Sequence, residues 1–451
     1  QNCCIIKQAT LFQDRRILIA NDEFDAQSLG FWLERIATLH PRKIELGLDR
    51  VKAVANRMGL TKPAHQVITV AGTNGKGSCV ACLQAILEQA GYRTGAYTSP
   101  HLHHFNERIC LEGEEVSDRV LCDAFVAVEH ARKEQSLSYF EFGTLAALWL
   151  FSKADIDVAI LEVGLGGRLD AVNIIDSDIA IITSISFDHQ DWLGNDLESI
   201  ATEKAGIIRH KTPLVYGDLV PCESVLKKAD ALDAPVYRLN LECYGIVNQD
   251  NKAWAFTGCE ISGKTQTIEQ LPLPHIDLSN AVLAVQAISL LPLVIERKAF
   301  QEALDGLALP GRFELRKDMD TKKRVILDVA HNPAAAKLLG ERLLQFRRVN
   351  PGITQIVGVI AVMADKDIES IAGALESCLD ICYIAQVDEP RCMPSVESFR
   401  RIKQCRIKSR LEQFDSLEKA YKAACKLATT EDVVVVTGSF YTVAAVRHLS
   451  Q

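Results

Sequence analysis

The sequence predicts an α/β protein of two units: a parallel-sheet unit carrying a phosphate-type glycine loop, then a smaller Rossmann-like unit, with the site in the cleft between them. Three observations carry that expectation. From Val67 onward, short apolar runs alternate with helical patterns, as the strand–helix units of a parallel sheet do. The first run leads into the glycine-rich stretch "VITVAGTNGKGS" (67–78), and the pattern breaks and restarts around "LALPGRFE" (307–314). A chain of 451 residues also exceeds one ordinary core, a domain being roughly 150 residues.

The elements follow in order. Residues 1–25 carry no readable chemistry. In residues 26–308 the expected strands are "VITVA" (67–71), "TGAYTS" (94–99), "VAILEV" (158–163) and "IAIITSI" (179–185). Leu83, Ile86, Leu87 and Ala90 mark one helix face, residues 141–154 a buried helix, and 279–291 a third. Pro310-Gly311 is expected to end the preceding helix, placing the boundary there, with residues 309–451 as the second unit. Its strands are read at "RVILDV" (324–329), "QIVGVIAV" (355–362), "ICYIAQV" (381–387) and "VVVVTGS" (433–439).

Composition narrows the partners. Hydrophobic residues at 48% and charged residues at 24% describe a chain that can bury a core. The balance of 50 Lys+Arg against 58 Asp+Glu, net -8, disfavours nonspecific attraction to nucleic acid or anionic membrane and points to small-molecule partners. The apolar runs "GTLAALWLF" and "LLPLVI" are much shorter than the ~18 residues a membrane span needs, and a cytoplasmic protein is expected. Fourteen scattered cysteines read as reduced thiols, with Cys79 and Cys82 inside a helix rather than in a redox or zinc motif.

A phosphate loop works because glycines let successive backbone N–H groups converge on an anion, a helix N-terminus adds positive potential, and a lysine reaches the outer phosphates. All three are present, but the Walker spacing is not. Val70 takes the first glycine position and Gly77 separates Lys76 from Ser78. Taken alone, the stretch remains open between a phosphate cradle and a tight structural turn.

Glu162 closes an apolar strand, where ligands bind in open parallel sheets. A carboxylate there needs a cation or donors, with Arg168 and backbone amides as the structural alternative. His189 follows the next strand and would stand beside Glu162 if the two strands are neighbours. Lys204, in "TEKAGI", reads by itself as a solvated helix lysine. Asn280 reads as a helix cap, Arg312 as a hinge residue, and Asp328 and His331 as turn residues.

"AGTNGKGS" resembles the ATP loop of the folylpolyglutamate synthases and dihydrofolate synthases, of the Mur ligase group, whose loop carries the extra glycine. Further matches follow in the family's order: "LHPRKIELGLDRV" (39–51), "TSPHL" (98–102), "SYFEFGTLAALWLF" (138–151), "LEVGLGGRLDAVN" (161–173) and "TSISFDHQDWLG" (183–194). "EKAGI" (203–207), "LPGRFE" (309–314), "DVAHNP" (328–333) and "TGSFYTVA" (437–444) complete the series. The resemblance spans roughly residues 26 to 448.

The resemblance implies a P-loop ATPase domain followed by a glutamate ligase domain. Thr73, Asn74, Gly75, Lys76, Gly77 and Ser78, with Asn280, Arg312 and Asp328, would bind ATP. Ser99, Glu162 and His189, and Ser78 at the nucleotide, would hold magnesium. Two magnesium ions and a monovalent cation are implied. Lys76, Lys204 and His331 are the catalytic candidates, with Lys204 carbamylated. Leu39, His40, Pro41, Ser138, Tyr139, Phe140, Glu141, Leu169, Asp170 and Ala171 would line the pterin pocket, with Phe140 suited to stack on a flat ring and Tyr139 and Phe140 equally readable as core.

The implied activity is ATP-dependent ligation of L-glutamate to 7,8-dihydropteroate and to the γ-carboxyl of reduced folates, through an acyl phosphate, by a monomeric enzyme. A folylpolyglutamate synthase alone, or a peptidoglycan-type Mur ligase, is the alternative; "SYFEFGT" and "GLGGRLDA" favour the folate branch. A regulatory GTPase lacks support, because Asn251-Lys252 is followed by Ala253-Trp254 rather than a guanine-reading motif.

Overall fold

The computed structural model describes residues 27–41, 45–250 and 252–449. The segment 1–25 of the sequence reading lies outside them. The chain forms β1 (Gln66–Ala71), β2 (Thr94–Tyr97), β3 (Ile109–Leu111), β4 (Glu114–Glu115), β5 (Val158–Glu162), β6 (Ile179–Ile182), β7 (Leu214–Tyr216) and β8 (Val236–Arg238). These make one sheet in the order β4-β3-β2-β5-β1-β6-β7-β8, parallel from β2 to β8. The central strands are apolar along their length because helices cover both faces. One face packs on the helices Asp118–Arg132 and Tyr139–Ala154, the other on Lys76–Gln89 and Leu278–Ser289.

The strand order corrects one expectation. β5, which carries Glu162, does not neighbour β6, which leads to His189; β1 and its glycine loop lie between them. The helix before the expected break stops at Leu304 rather than at Pro310, with Gly306 following at a left-handed φ of 68°.

An antiparallel sheet not read from the sequence, β9 (Tyr244–Val247), β10 (Ala253–Cys259) and β11 (Thr265–Pro272), covers the helix Leu278–Ser289. Trp254 and Phe256 point inward from β10, which explains why that helix is apolar nearly all round.

The second unit contains β12 (Glu314–Lys317), β13 (Arg324–Asp328), β14 (Ile356–Ile360), β15 (Ile381–Ile384), β16 (Arg410–Gln413) and β17 (Val433–Thr437). Their order is β12-β13-β17-β14-β15-β16, with only the edge strand β12 antiparallel. A separate apolar core lies on each face of this sheet. The described cysteines are free, and burial pushes the Cys79 and Cys82 thiols up, away from thiolate chemistry. Among the described residues, no helix is long and apolar enough to cross a membrane.

Candidate active site

The glycine loop bridges β1 and the helix Lys76–Gln89 at the carboxyl edge of the first sheet. Gly72, at φ 149°, lies against Thr183, and a Cβ would come within 1.9 Å of its Oγ1. Gly75, at φ 88°, lies against Asn280, whose Oδ1 would be 2.3 Å from an added Cβ. Only glycine fits either place. The fold thereby brings Asn280, some 200 residues downstream, onto the loop.

The loop is also tied to the end of β6. Thr73 N–H donates to Ser184 O (2.7 Å), Thr73 Oγ1 to Ser186 O (3.1 Å), and Thr183 Oγ1 to Asn74 O (2.6 Å). Lys76 folds over it, Nζ donating to Gly72 O (3.0 Å) and Thr73 O (3.2 Å). No side chain caps the helix Lys76–Gln89, so its first N–H groups face the loop with no competing side-chain acceptor.

Glu162 and Ser99 meet beside this loop: Ser99 N–H donates to Glu162 Oε2 at 3.2 Å. Burial pushes the Glu162 carboxyl up, against the pull of Lys76, the Ser99 N–H and Arg312. Burial likewise pushes the Lys76 amine down, against Glu162 and Asp188. Gly77 faces the same carboxylate, an added Cβ lying 3.7 Å from Glu162 Oε2. Ser78 is buried in the following turn.

His189 stands on the β6 side at φ 52°, its imidazole pushed down to about 4 by burial and then by Lys366 and Lys76, with Asp188 opposing. The structure therefore joins Ser99 and Glu162 and sets His189 across the loop from them. Lys204 occupies the last turn of the helix Leu197–Ala205, only 3% exposed. Its amine is pushed down to about 7 by burial and by the Lys76 charge. The solvated lysine of the isolated pattern is thus a desolvated amine in the fold. Gly167 makes this possible, since a Cβ there would lie 2.8 Å from Glu203 O and 3.0 Å from Lys204 O.

The second unit closes over the loop through contacts that the sequence reading missed. The amides of Asn74 and Asn332 bond reciprocally, at 3.1 and 2.9 Å. Asp188 receives Lys366 Nζ (2.6 Å) and Asn332 Nδ2 (3.1 Å), and lies 3.3 Å from His331 Nε2. Burial alone would raise the Asp188 carboxyl; His331, His189 and Lys366 outweigh it and hold it well below the usual range. Asn332 also caps the helix Pro333–Val349 through Ala335 N–H (2.9 Å), the one feature its Asn-Pro pattern signals. His331 Nδ1 bonds Val329 O at 2.8 Å.

Asp328 accepts the N–H groups of Phe313 (2.8 Å) and Ala330 (2.9 Å); burial raises its carboxyl and Arg312 opposes the rise. Arg312 lies over the Phe440 ring, 5.0 Å from its centroid.

The pocket candidates gather around the start of the helix Tyr139–Ala154. Ser138 and Glu141 form its capping box, Glu141 N–H donating to Ser138 Oγ (3.3 Å) and Ser138 N–H to Glu141 Oε2 (2.7 Å). Arg50 then clamps Glu141 through both carboxylate oxygens (3.0 and 3.1 Å) and reaches Glu45, which also holds His40 Nε2 at 2.9 Å. Arg50 is the residue missed here, although it lies inside the quoted segment. Phe140 packs over Gly164, where a Cβ would meet its ring at 2.6 Å, and sits 5.8 Å from the Tyr97 ring. Tyr139 packs edge-on to Phe105.

Asp170 caps the short turn Ala171–Ile174 and accepts Leu165 N–H (2.8 Å) and Val172 N–H (3.0 Å), its carboxyl still pushed up to about 7 by burial. Leu39 packs against the first core, Leu169 is half-buried beside Asp170, and Pro41 is exposed.

Comparison with known proteins places this geometry. Residues 70–229 match the Mur ligase middle domain, and residues 311–440 match the Mur ligase glutamate ligase domain. The dihydrofolate synthase/folylpolyglutamate synthase of Escherichia coli (strain K12) is 41% identical over 425 residues, 94% of this chain and 96% of the relative. The structure of E. coli FolC in complex with DHPP and ADP superposes with a TM-score of 0.87 at 41% identity, covering 94% of this chain and 98% of that one. A bifunctional folylpolyglutamate synthase/dihydrofolate synthase from Yersinia pestis, complexed with AMPPNP and a Mn ion, gives a TM-score of 0.85 at 41% identity over the same shares.

Proposed function

We infer the reaction from one premise: this chain belongs to the dihydrofolate synthase/folylpolyglutamate synthase family of Mur ligases. It is an ATP-dependent ligase that joins L-glutamate to dihydropteroate and to the γ-carboxyl of reduced folates. The observation that carries this reading is the buried Glu162 carboxylate with Lys76 and Ser99 beside an uncapped helix start, closed from above by the second unit at Asn332 and Lys366.

A carboxylate cannot expel oxide in water, so it must first be activated. A carboxylate oxygen of the acceptor attacks the γ-phosphorus of ATP, ADP leaves, and an acyl phosphate forms. The glutamate amine, having lost its proton, attacks the acyl carbon, and the tetrahedral adduct expels phosphate. The loop from Thr73 to Ser78 would hold the phosphates, with the N–H groups of Gly75 to Ser78 as donors because those of Thr73 and Asn74 already donate to Ser184, and Lys76 would swing from its carbonyl partners to the outer phosphates. Asn280, Arg312 and Asp328 would take the nucleoside end. His331 would present its imidazole to the phosphates from the second unit. Closure through Asp188 keeps water from the acyl phosphate.

The residues fit a divalent cation. Glu162 is a buried carboxylate with one N–H donor, from Ser99, and with Gly77 facing it across space that a side chain there would fill. Ser99, Glu162 and His189, with Ser78 at the nucleotide, would hold magnesium, which neutralises phosphate charge when bound. A second magnesium and a monovalent cation belong to the same proposal. Lys204, desolvated and with its amine pushed down to about 7, is suited to take up carbon dioxide as a carbamate that supports the metal region. Phe140 and Asp170 would face the pterin, with the hinge at residues 308 and 309.

The test uses acceptors labelled with heavy oxygen in the carboxylate. Dihydropteroate and tetrahydrofolate should both be glutamylated with ATP, each passing one label to phosphate. Activity with tetrahydrofolate alone would reduce the enzyme to one function, and unlabelled phosphate would exclude the acyl phosphate.

A further inference from the structure

On the nucleoside side of the cleft, a second contact between the units mirrors the Asn332–Lys366 closure and involves none of the residues so far assigned a role. Arg342, on the helix Pro333–Val349, donates from Nη2 to His275 O of the first unit at 2.6 Å. His275 opens the segment that runs through Asp277, the cap of the helix Leu278–Ser289, to Asn280 against Gly75. The same guanidinium lies 4.3 Å from the centroid of the Phe313 ring. Phe313 holds a left-handed φ of 48°, packs edge-on with Phe346 at 5.9 Å, and gives its N–H to Asp328. Arg342 thus touches the segment that carries Asn280 and the residue whose N–H holds Asp328, and its charge acts on Asp328 and Asp277.

A polyanion must enter a place where two half-buried acids, Asp277 and Asp328, already stand. A planar cation stacked on an aromatic ring and bonded to a carbonyl balances those acids while staying fixed in direction. We propose that Arg342 is a positioning residue for the nucleotide, clasping the 275–280 segment to Phe313 so that Asn280 and Asp328 face the adenosine end of ATP together. This rests on the ATP-ligase reading above.

The experiment titrates ADP and inorganic tripolyphosphate, which lacks adenosine, into wild type and Arg342→Gln by calorimetry. ADP affinity should fall about tenfold in the variant with tripolyphosphate affinity unchanged, and the KM for ATP should rise while that for glutamate holds. Phe313→Leu should reproduce the effect through loss of the stacked ring, and Arg342→Lys should recover less than half of it, because an ammonium cannot stack and fork at once. Unchanged ADP affinity, or equal loss for both ligands, would overturn the proposal, since a purely structural clasp weakens both. Failure of wild type to bind ADP at all would instead remove the ATP-ligase reading.

Discussion

The glycine-loop end of the cleft and the aromatic end around Phe140 sit on the same sheet edge, yet they treat buried charge in opposite ways. At the aromatic end, Glu141 is spent on its own helix cap and on Arg50, so its carboxylate is fully partnered without a ligand. At the glycine-loop end, Glu162 has one N–H, Lys76 only loop carbonyls, and Lys204 a desolvated amine. The first arrangement holds a shape. The second stores electrostatic cost that a polyanion and a cation would relieve.

The comparison breaks most sharply at Lys76. Lys76→Ala should lower kcat/KM by about a thousandfold, as loss of a phosphate-directed cation does, with the melting temperature unchanged or raised. A loss under about tenfold would show that the loop end is no more than structural.

Lys204→Met should lower activity by about a hundredfold while stabilising the protein. The folded amine sits at about 7 against an ordinary value of 10.5, so the unfolded chain binds more protons between those values. Wild-type stability must therefore rise with pH through that window, the full penalty applying below about pH 7. Urea unfolding at about pH 6 and about pH 9 should show this slope in wild type and a flatter one in the variant. Parallel slopes would mean that Lys204 is not desolvated.

The smallest catalytic effect belongs to the aromatic end. Arg50→Met leaves Glu141 buried without a counter-charge and with only the Ser138 N–H as donor, which should cost about 2–3 kcal/mol of stability and raise the acceptor KM about fivefold without changing that for ATP. Adding Glu141→Gln should restore part of the stability. A shift in the ATP constant would dissolve the distinction between the two ends.

Legibility followed the range of the interaction. Strands β1, β5, β6, β14 and β17 were readable because burial on both faces writes a continuous apolar run. The β9–β11 sheet was not, although Trp254 and Phe256 alternate along β10, because its strands are half-exposed and write no continuous apolar run. Glu162 was visible as a charge ending an apolar strand. Asp188, Asn332 and Lys366 were not, since their partners lie 144 to 258 residues away.

The sequence by itself determined the alternation of strands and helices, the glycines that the loop's backbone requires, and the family whose motifs it repeats in order. Those are local properties, set by periodicity and by the φ angles that only glycine adopts without strain. Only the tertiary structure decided that β1 would part Glu162 from His189, that Lys204 would lose its water, and that Asn332, Lys366 and Arg342 would reach across the cleft. Strand order and desolvation depend on which distant segments share a sheet or a core, and no window of neighbouring residues encodes that.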